Sequence, residues 1–543
     1  MLSAEAQKDK EKPPCYAIRG VRVFDGRDVI EKTTLLVREG KIEEMGPGTG
    51  VPADAIVIEG AGKTLLPGLI DSHTHVFGNG PEQALQFGVT TQVDMFTMVP
   101  LMQEFHRRQA AGPNPGRADL FSCGTLATVP GGHGTEYGLA IPTLSTPAEA
   151  QAFVDARVEE GSDFIKIIYG RGWNFPCLDK PTLAALIAAA HKRGKLAAVH
   201  VDCLQDARDT VESGADILAH TWEDREPDAT FFRLARRHRV VLIPTLTVIA
   251  SICRQKPGAG LIADLRLEPL IPEVARPGLL REFPDSKKGD EDFRRAQRIA
   301  RLFKKNGLRV LAGTDAPNPG TAYGASLHQE LEFLVQAGFS PAEALGATTA
   351  LPAKIFGLVD RGRIAKGLRA DLLLVEGDPL ADIKDTRRIV GVWKDGMLLD
   401  GTEWRDAITR EKAAVASQPP PAPPPGLDSG LISDFEDGSF ACRLGMPWQE
   451  STDSVMGGKS TVQLKIAAEG AQGSRHSLSL SGEVAAGGAI AWSGAVWFPA
   501  GKPFAPADLS AKKAILFRAK GDGQTYQVLF YSRKTGFMPA WQS

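Results

Sequence analysis

The chain has no Cys-x-x-Cys pair: its six cysteines, Cys15, Cys123, Cys177, Cys203, Cys253 and Cys442, are scattered through 543 residues. That spacing argues against a zinc knuckle and against a disulfide framework, and it leaves the redox compartment open. No apolar run approaches the roughly 18 residues of a membrane span, and the opening MLSAEAQKDKEKPP holds no apolar signal core. As written, the chain reads as cytoplasmic. The short SAEAQ also looks like the surroundings of a signal-peptidase site, so a periplasmic or secreted mature form stays in view. Excess charge of either sign is missing as well: 63 Lys+Arg against 65 Asp+Glu give a formal net charge of -2. No global field then favours nucleic acid or an acidic membrane surface, and partners must be argued from sites.

What is present is an ordinary globular composition, 43% hydrophobic, in a chain long enough for several domains. Between residues 65 and about 340, eight apolar runs alternate with amphipathic stretches: LLPGLIDSH, VTTQVDMF, LFSCGTLAT, DFIKIIYG, KLAAVHVD, ADILAHTW, VVLIPTLTV and RVLAGTDA. Eight repeated βα units predict an α/β fold, a (β/α)8 TIM barrel over 65–356. The segment 250–290 is too long for an ordinary connection after the seventh strand and is expected to cover the catalytic mouth. Strand-and-turn patterns on both flanks, 16–64 and 357–410, are expected to join as one small β-sandwich subdomain. Residues 1–15 are expected to be disordered. QPPPAPPPG at 418–426 sustains neither helix nor ladder, so 411–430 reads as a Pro-rich linker. Beyond it, 431–543 alternates as an all-β module with Gly-rich turns, expected to be incomplete because the chain stops just after a strand-like stretch.

Active sites of such barrels gather at the C-terminal strand ends. His73 and His75 end the first strand, Lys166 lies in the fourth, His200 and His220 end the fifth and sixth, and Asp315 ends the eighth. Singly, each has a bland reading: a core histidine satisfied by backbone, a snorkelling lysine, an aspartate capping a helix. Six coincidences at equivalent strand ends favour a metal centre. Four imidazoles and a carboxylate suit one or two divalent ions, most simply zinc, with manganese, cobalt or iron also suited to such ligands.

PGLIDSHTH, the strand-four lysine, the two later histidines and GTDAP resemble, in that order, the amidohydrolase superfamily over about residues 16 to 400. SLHQELEFLVQAGFSPAEALGATTALPAKIFGL and GRIAKGLRADLLLVEGDPL resemble its imidazolonepropionase-like branch, which includes Xaa-Pro dipeptidases. The resemblance implies a binuclear centre. His73 and His75 would hold one ion, His200 and His220 the other, Asp315 would contact the first, and Lys166 would bridge both as a carbamate formed with carbon dioxide. A mononuclear site with Lys166 merely hydrogen-bonded is the alternative. The expected reaction is hydrolysis of an amide C–N bond by a hydroxide bridging the metals, with Asp315 passing the proton to the leaving amine.

PGGHGTEYG places His133 among glycines after the third strand, and GGHG resembles a segment that supplies a substrate-contacting histidine in the prolidase-like branch. His133 is then expected to donate to a developing oxyanion. Tyr169, Arg171 and Trp173, in YGRGWN, lie past the fourth strand. Arg171 is a candidate clamp for a substrate carboxylate, and Trp173 a candidate wall of an apolar pocket. Related chains often carry Tyr soon after the fifth-strand His; Asp202 and Cys203 stand here instead, which puts dipeptidase specificity in doubt. LISDFEDGS and STDSVMGGKS resemble the complex I intermediate-associated protein domain. That implies a galactose-binding-like jelly roll serving as a binding or assembly module for a carbohydrate or protein partner.

The expected function is hydrolysis of a small N-acyl amino acid or dipeptide-like substrate, by a monomer or homo-oligomer. Hydrolysis of cyclic amides, ureas, lactones or esters, or deamination, is the neighbouring alternative. A barrel without catalysis, acting as a scaffold for the β module, is the alternative of another class, and the intact ligand set argues against it.

Overall fold

The computed structural model describes residues 14–136, 141–172, 175–283, 286–417, 423–424, 426–456, 459–471, 473–485, 492–522, 526, 528–531 and 539–542. All but the last two residues of the expected disordered N-terminus lie outside the described residues, as does Trp173. The chain forms two compact units, residues 1–134 with 142–411 and residues 135–141 with 412–543.

Five strands come first: β1 (Tyr16–Phe24), β2 (Val29–Arg38), β3 (Lys41–Gly46), β4 (Ile56–Glu59) and β5 (Lys63–Pro67). The next eight are β6 (Leu69–Thr74), β7 (Val89–Asp94), β8 (Asp119–Ser122), β9 (Ile165–Ile168), β10 (Ala197–His200), β11 (Ile217–Ala219), β12 (Val241–Ile243) and β13 (Arg309–Val310). These eight are short and almost wholly buried, which is why they read as unbroken apolar runs rather than as alternating ones. They pair in parallel as two arcs, β6-β7-β8 and β9-β10-β11-β12-β13. The arcs join where the amide of Ala127 donates to the carbonyl of Lys166 at 2.8 Å and that of His75 to Ala316 at 2.7 Å. The eight predicted runs are thus the eight staves of the expected α/β barrel.

After the barrel come β14 (Leu372–Glu376), β15 (Ile389–Lys394) and β16 (Met397–Leu398). With β1–β5 they make one eight-stranded sheet, in which β14 pairs antiparallel with β5. Both flanks therefore meet as expected, but in a single sheet rather than a two-sheet sandwich. A bridge from Lys41 to Arg369 brings its far edge back towards β14, so the sheet curls around its own core of Ile18, Val23, Leu35, Ile42, Leu372 and Trp393. The expected boundary at 64/65 moves: Leu65 and Leu66 belong to β5 and this sheet. The break falls at Gly68, where a Cβ would lie 2.3 Å from Thr90 Oγ1, so the chain passes through a gap that no side chain fits. The expected domain end at 410 and linker start at 411 also shift, because Thr402–Ser417 is one helix. TEWRDAITREKAAVAS is rich in strong helix formers and meets no proline before residue 419.

The long connection after β12 forms helices Leu246–Ile252, Pro257–Ala263 and Arg276–Leu280. Its Leu261, Leu267, Leu270, Ile271 and Leu279 pack with Phe87, Ala322 and Ala325, and Asp264 pairs with Arg387 at 3.1 Å. These contacts tie the connection to Phe87 and to the stretch that follows β13, where the amide of Gly320 donates to the carbonyl of Gly278 at 2.9 Å. The C-terminal unit is strand-rich, with antiparallel pairs Gln449–Thr452 with Ser493–Val496, Thr461–Ala467 with Ser477–Glu483, and Leu529–Tyr531 with Pro539–Gln542. LISDFEDGS and residues 514–522, read as strands from their pattern, are irregular.

Candidate active site

The parallel barrel puts its strand ends on one rim, and five of the six predicted ligands belong to a contiguous set of contacts there. Nε2 of His73 lies 3.3 Å, and Nε2 of His75 2.8 Å, from Oδ1 of Asp315. One donor atom from each of these three residues falls within 4.8 Å of the others. Two ligands held at about 2.1 Å around a tetrahedral ion stand about 3.4 Å apart, so these separations are close to what one ion needs. Asp315 reaches this place from a left-handed backbone, φ 61°, its amide donating to the His73 carbonyl at 2.8 Å.

His220 continues the ring of histidines, its centroid 4.6 Å from that of His73 and 4.5 Å from that of His200. Each of these two histidines has one nitrogen engaged. Nε2 of His200 bonds to Asp202 Oδ1 at 2.8 Å, and Nδ1 of His220 to Thr245 Oγ1 at 2.8 Å. His200 is thereby directed to offer Nδ1 and His220 to offer Nε2, the usual role of an outer partner on a ligating imidazole. Lys166, on β9, is buried and its Nζ has no hydrogen-bond partner. Both ring nitrogens of His73, Nδ1 of His75 and Oδ1 of Asp315 are likewise buried without an aligned hydrogen bond. So many orphaned polar atoms in one space call for an ion or a modification there, and the residues fit divalent metal.

The electrostatics agree. Burial, with the Lys166 ammonium beside it, pushes the His73 imidazolium down to about 3. Burial and the neighbouring His200 and His73 hold His220 well below its ordinary value, and burial lowers His200. The imidazoles of His73, His200 and His220 are therefore neutral, with lone pairs available. Burial would raise the Asp315 carboxyl, but His73 and His75 hold it well below the usual range. Burial brings Lys166 down to about 8 against the pull of Asp315, so part of it is a free amine near neutral pH.

Around this centre, His133 stands with its ring 5.2 Å from His200 and 5.6 Å from Phe175. Tyr169 and Arg171 are placed elsewhere: the Tyr169 hydroxyl donates to Asp209 at 2.9 Å, and Arg171 pairs with Asp209 at 2.9 Å and lies 3.5 Å from Asp206. Both side chains answer to helix Leu204–Glu212, and Arg171 stacks over the Tyr169 ring. Sequence reasoning singled out Asp202 as a departure without giving it this role. It missed Thr245 and Asp94; Asp94 accepts from the Val76 amide at 2.7 Å and the Ser122 hydroxyl at 2.5 Å. Asp202 carried a signal, lying two positions past a strand-end histidine; Thr245 carried none.

Residues 129–399 match the model of the amidohydrolase family, and residues 434–543 match that of complex I intermediate-associated protein 30. An imidazolonepropionase of Deinococcus radiodurans is 26% identical over 391 residues, 66% of this chain and 89% of its own length. An ochratoxinase of Aspergillus niger is 23% identical over 400 residues, 62% of this chain and 76% of its own. A crystal structure of a Xaa-Pro dipeptidase with bound methionine superposes with a TM-score of 0.58 at 21% identity, covering 71% of this chain and 100% of its own, which supports the fold. The chain thus carries an amidohydrolase-family match over residues 129–399 and a complex I intermediate-associated protein 30 match over residues 434–543.

Proposed function

We propose that this chain is a metal-dependent hydrolase that cleaves an amide C–N bond in a small substrate of the N-acyl amino acid or dipeptide type. The observation that carries this reading is the convergence of His73 and His75 on Asp315, beside a buried lysine with no partner. His73, His75 and Asp315 would hold one ion, most simply zinc, and Nδ1 of His200 and Nε2 of His220 a second. Lys166, carboxylated on Nζ, would face both with two anionic oxygens. When bound, the ions supply Lewis acidity to a substrate carbonyl and acidify water.

The remaining work falls to side chains. Asp315, held ionised by its histidines, accepts a proton from water and returns it to the departing amine. His133, on its Gly-rich turn, donates to the oxygen that gains charge. Asp202 orients His200, and Arg171 fixes the loop after β9 through Asp209 rather than clamping substrate. The C-terminal module is read as a galactose-binding-like sandwich that binds or assembles and takes no part in the chemistry. The test is metal analysis of the purified chain followed by a screen of N-acyl amino acids, dipeptides, cyclic amides and ureas. About two ions per chain and turnover of an acyl amino acid or dipeptide, abolished by chelation, are expected. Turnover that survives removal of all metal overturns the reading.

A further inference from the structure

Thr245, which holds His220, is itself held in an unusual way. It is a buried β-branched residue with φ 48° and ψ 47°, a conformation that L residues with a branched Cβ resist. His220 is also left-handed, with φ 74°. Two such residues facing each other at adjoining strand ends, joined side chain to side chain at 2.8 Å, need an outside constraint to stay so. The amides that follow Thr245 show where it comes from. Leu246 N donates to Glu330 Oε1 at 2.9 Å, Thr247 N to Oε2 at 2.7 Å, and the Thr247 hydroxyl to Oε2 at 2.8 Å.

Glu330 is fully buried and lies on helix Ala325–Gln336, which follows the eighth strand. Burying a carboxyl there is costly, and starting a seven-residue helix such as Leu246–Ile252 does not require one, since a local Ser, Thr, Asp or Asn cap would do. The forked carboxyl does what a local cap would not: it grips two successive amides and a hydroxyl at once, fixing the turn on which the Thr245 hydroxyl is aimed. When Nδ1 is the donor in its bond to Thr245 Oγ1, the lone pair of His220 stands on Nε2, on the ring that neighbours His200 and His73.

We infer that Glu330 is a positioning residue of the metal centre, setting the orientation and tautomer of His220 through the Thr245 turn. This inference rests on the two-ion reading above. Gln at 330 keeps the size but offers one acceptor oxygen and sets an NH2 against an amide, so one arm of the fork opens. Val at 245 removes the hydroxyl and keeps the shape; Ser restores it.

The experiment uses the full chain with 15N-labelled histidine, the His220 signals being assigned by their loss in His220→Asn. In metal-free wild type the proton is expected on Nδ1. In E330Q and T245V mixed tautomers are expected, and in T245S the wild-type pattern. Zinc titrations should show the second ion bound at least about tenfold more weakly by E330Q and T245V, the first unchanged within about twofold, and T245S like wild type. An E330Q protein that merely melts earlier, with the wild-type His220 spectrum and second-ion affinity, overturns the inference. Should E330Q not fold, E330D takes its place under the same expectations. Wild type that takes up no metal would instead remove the metal-dependent reading, and the His220 spectra would still decide the role of Glu330.

Discussion

Asp202 accepts a 2.8 Å hydrogen bond from Nε2 of His200 and a second, at 3.2 Å, from the amide of Gly172. Burial would raise its carboxyl, but His200 holds it below the usual carboxylate range, so it meets the ring as an anion and fixes the proton on Nε2. Asp202→Ala is expected to weaken binding of the second ion about 10- to 100-fold while leaving the first in place. Asp202→Asn, which still accepts through its carbonyl oxygen, should lose less. Titration of the alanine variant with zinc checks this, and a second-ion affinity within about threefold of wild type would remove Asp202 from the centre.

Asp315→Asn retains an oxygen ligand of similar shape and removes the base. Turnover should fall by at least about 100-fold, with most of the metal still bound. Steady-state rates alongside metal content give the answer; a rate within tenfold of wild type would mean that another group handles the proton.

The Lys166 amine reacts with carbon dioxide only when neutral, and burial brings it down to about 8. At fixed dissolved carbon dioxide, reconstitution of metal-free protein should therefore speed up about tenfold per pH unit between 6 and 8 and level off above. Lys166→Ala should hold about half the metal, and short carboxylic acids in excess should restore part of the metal and activity. A rate independent of pH and of bicarbonate would exclude the carbamate.

Glu330 gives a pH signature in stability. Burial pushes its carboxyl up to about 8 from an ordinary 4.5, with the Thr247 hydroxyl pulling the other way. A group whose folded value is raised contributes stability that is whole below its unfolded value and is lost as pH climbs through its folded one. In metal-free protein, the advantage of wild type over E330Q in urea midpoint should thus shrink between pH 5 and 8.5. A gap that stays constant across that range would show Glu330 already ionised at pH 5.

The barrel was legible because each stave is buried on both faces and so spells out an apolar run, and the candidate ligands were legible because a polar residue closing such a run is expensive unless used. His73, His75, His200, His220 and Asp315 needed nothing more. Long-range partners were not legible. Leu246 and Glu330 meet across 84 positions as a consequence of barrel closure, and a buried Glu within ASLHQELEFLVQ looks in sequence like any helix-surface acid. Arg171 misled because proximity in sequence to a strand end says nothing of which way a long side chain leans; Asp206 and Asp209, a turn apart on one helix face, capture it. The flanking sheet was foreseen in composition and misjudged in shape, since whether eight strands stack or curl depends on register that alternation does not encode.

The pairing of β5 with β14 also sets an order of events during synthesis. Thr64 and Gly377, joined by a hydrogen bond, are 313 positions apart, so β5 leaves the ribosome long before its neighbour exists. Until residue 376 emerges, one side of β5 presents unmatched amides and carbonyls next to buried Leu65 and Leu66, a surface that invites pairing with other chains. A nascent chain arrested inside the barrel would accordingly be more prone to aggregate than one arrested beyond β15, although it carries most of the candidate metal ligands. Closing this loop late links the two ends of the enzyme domain and covers the exposed side of β5 at the same moment.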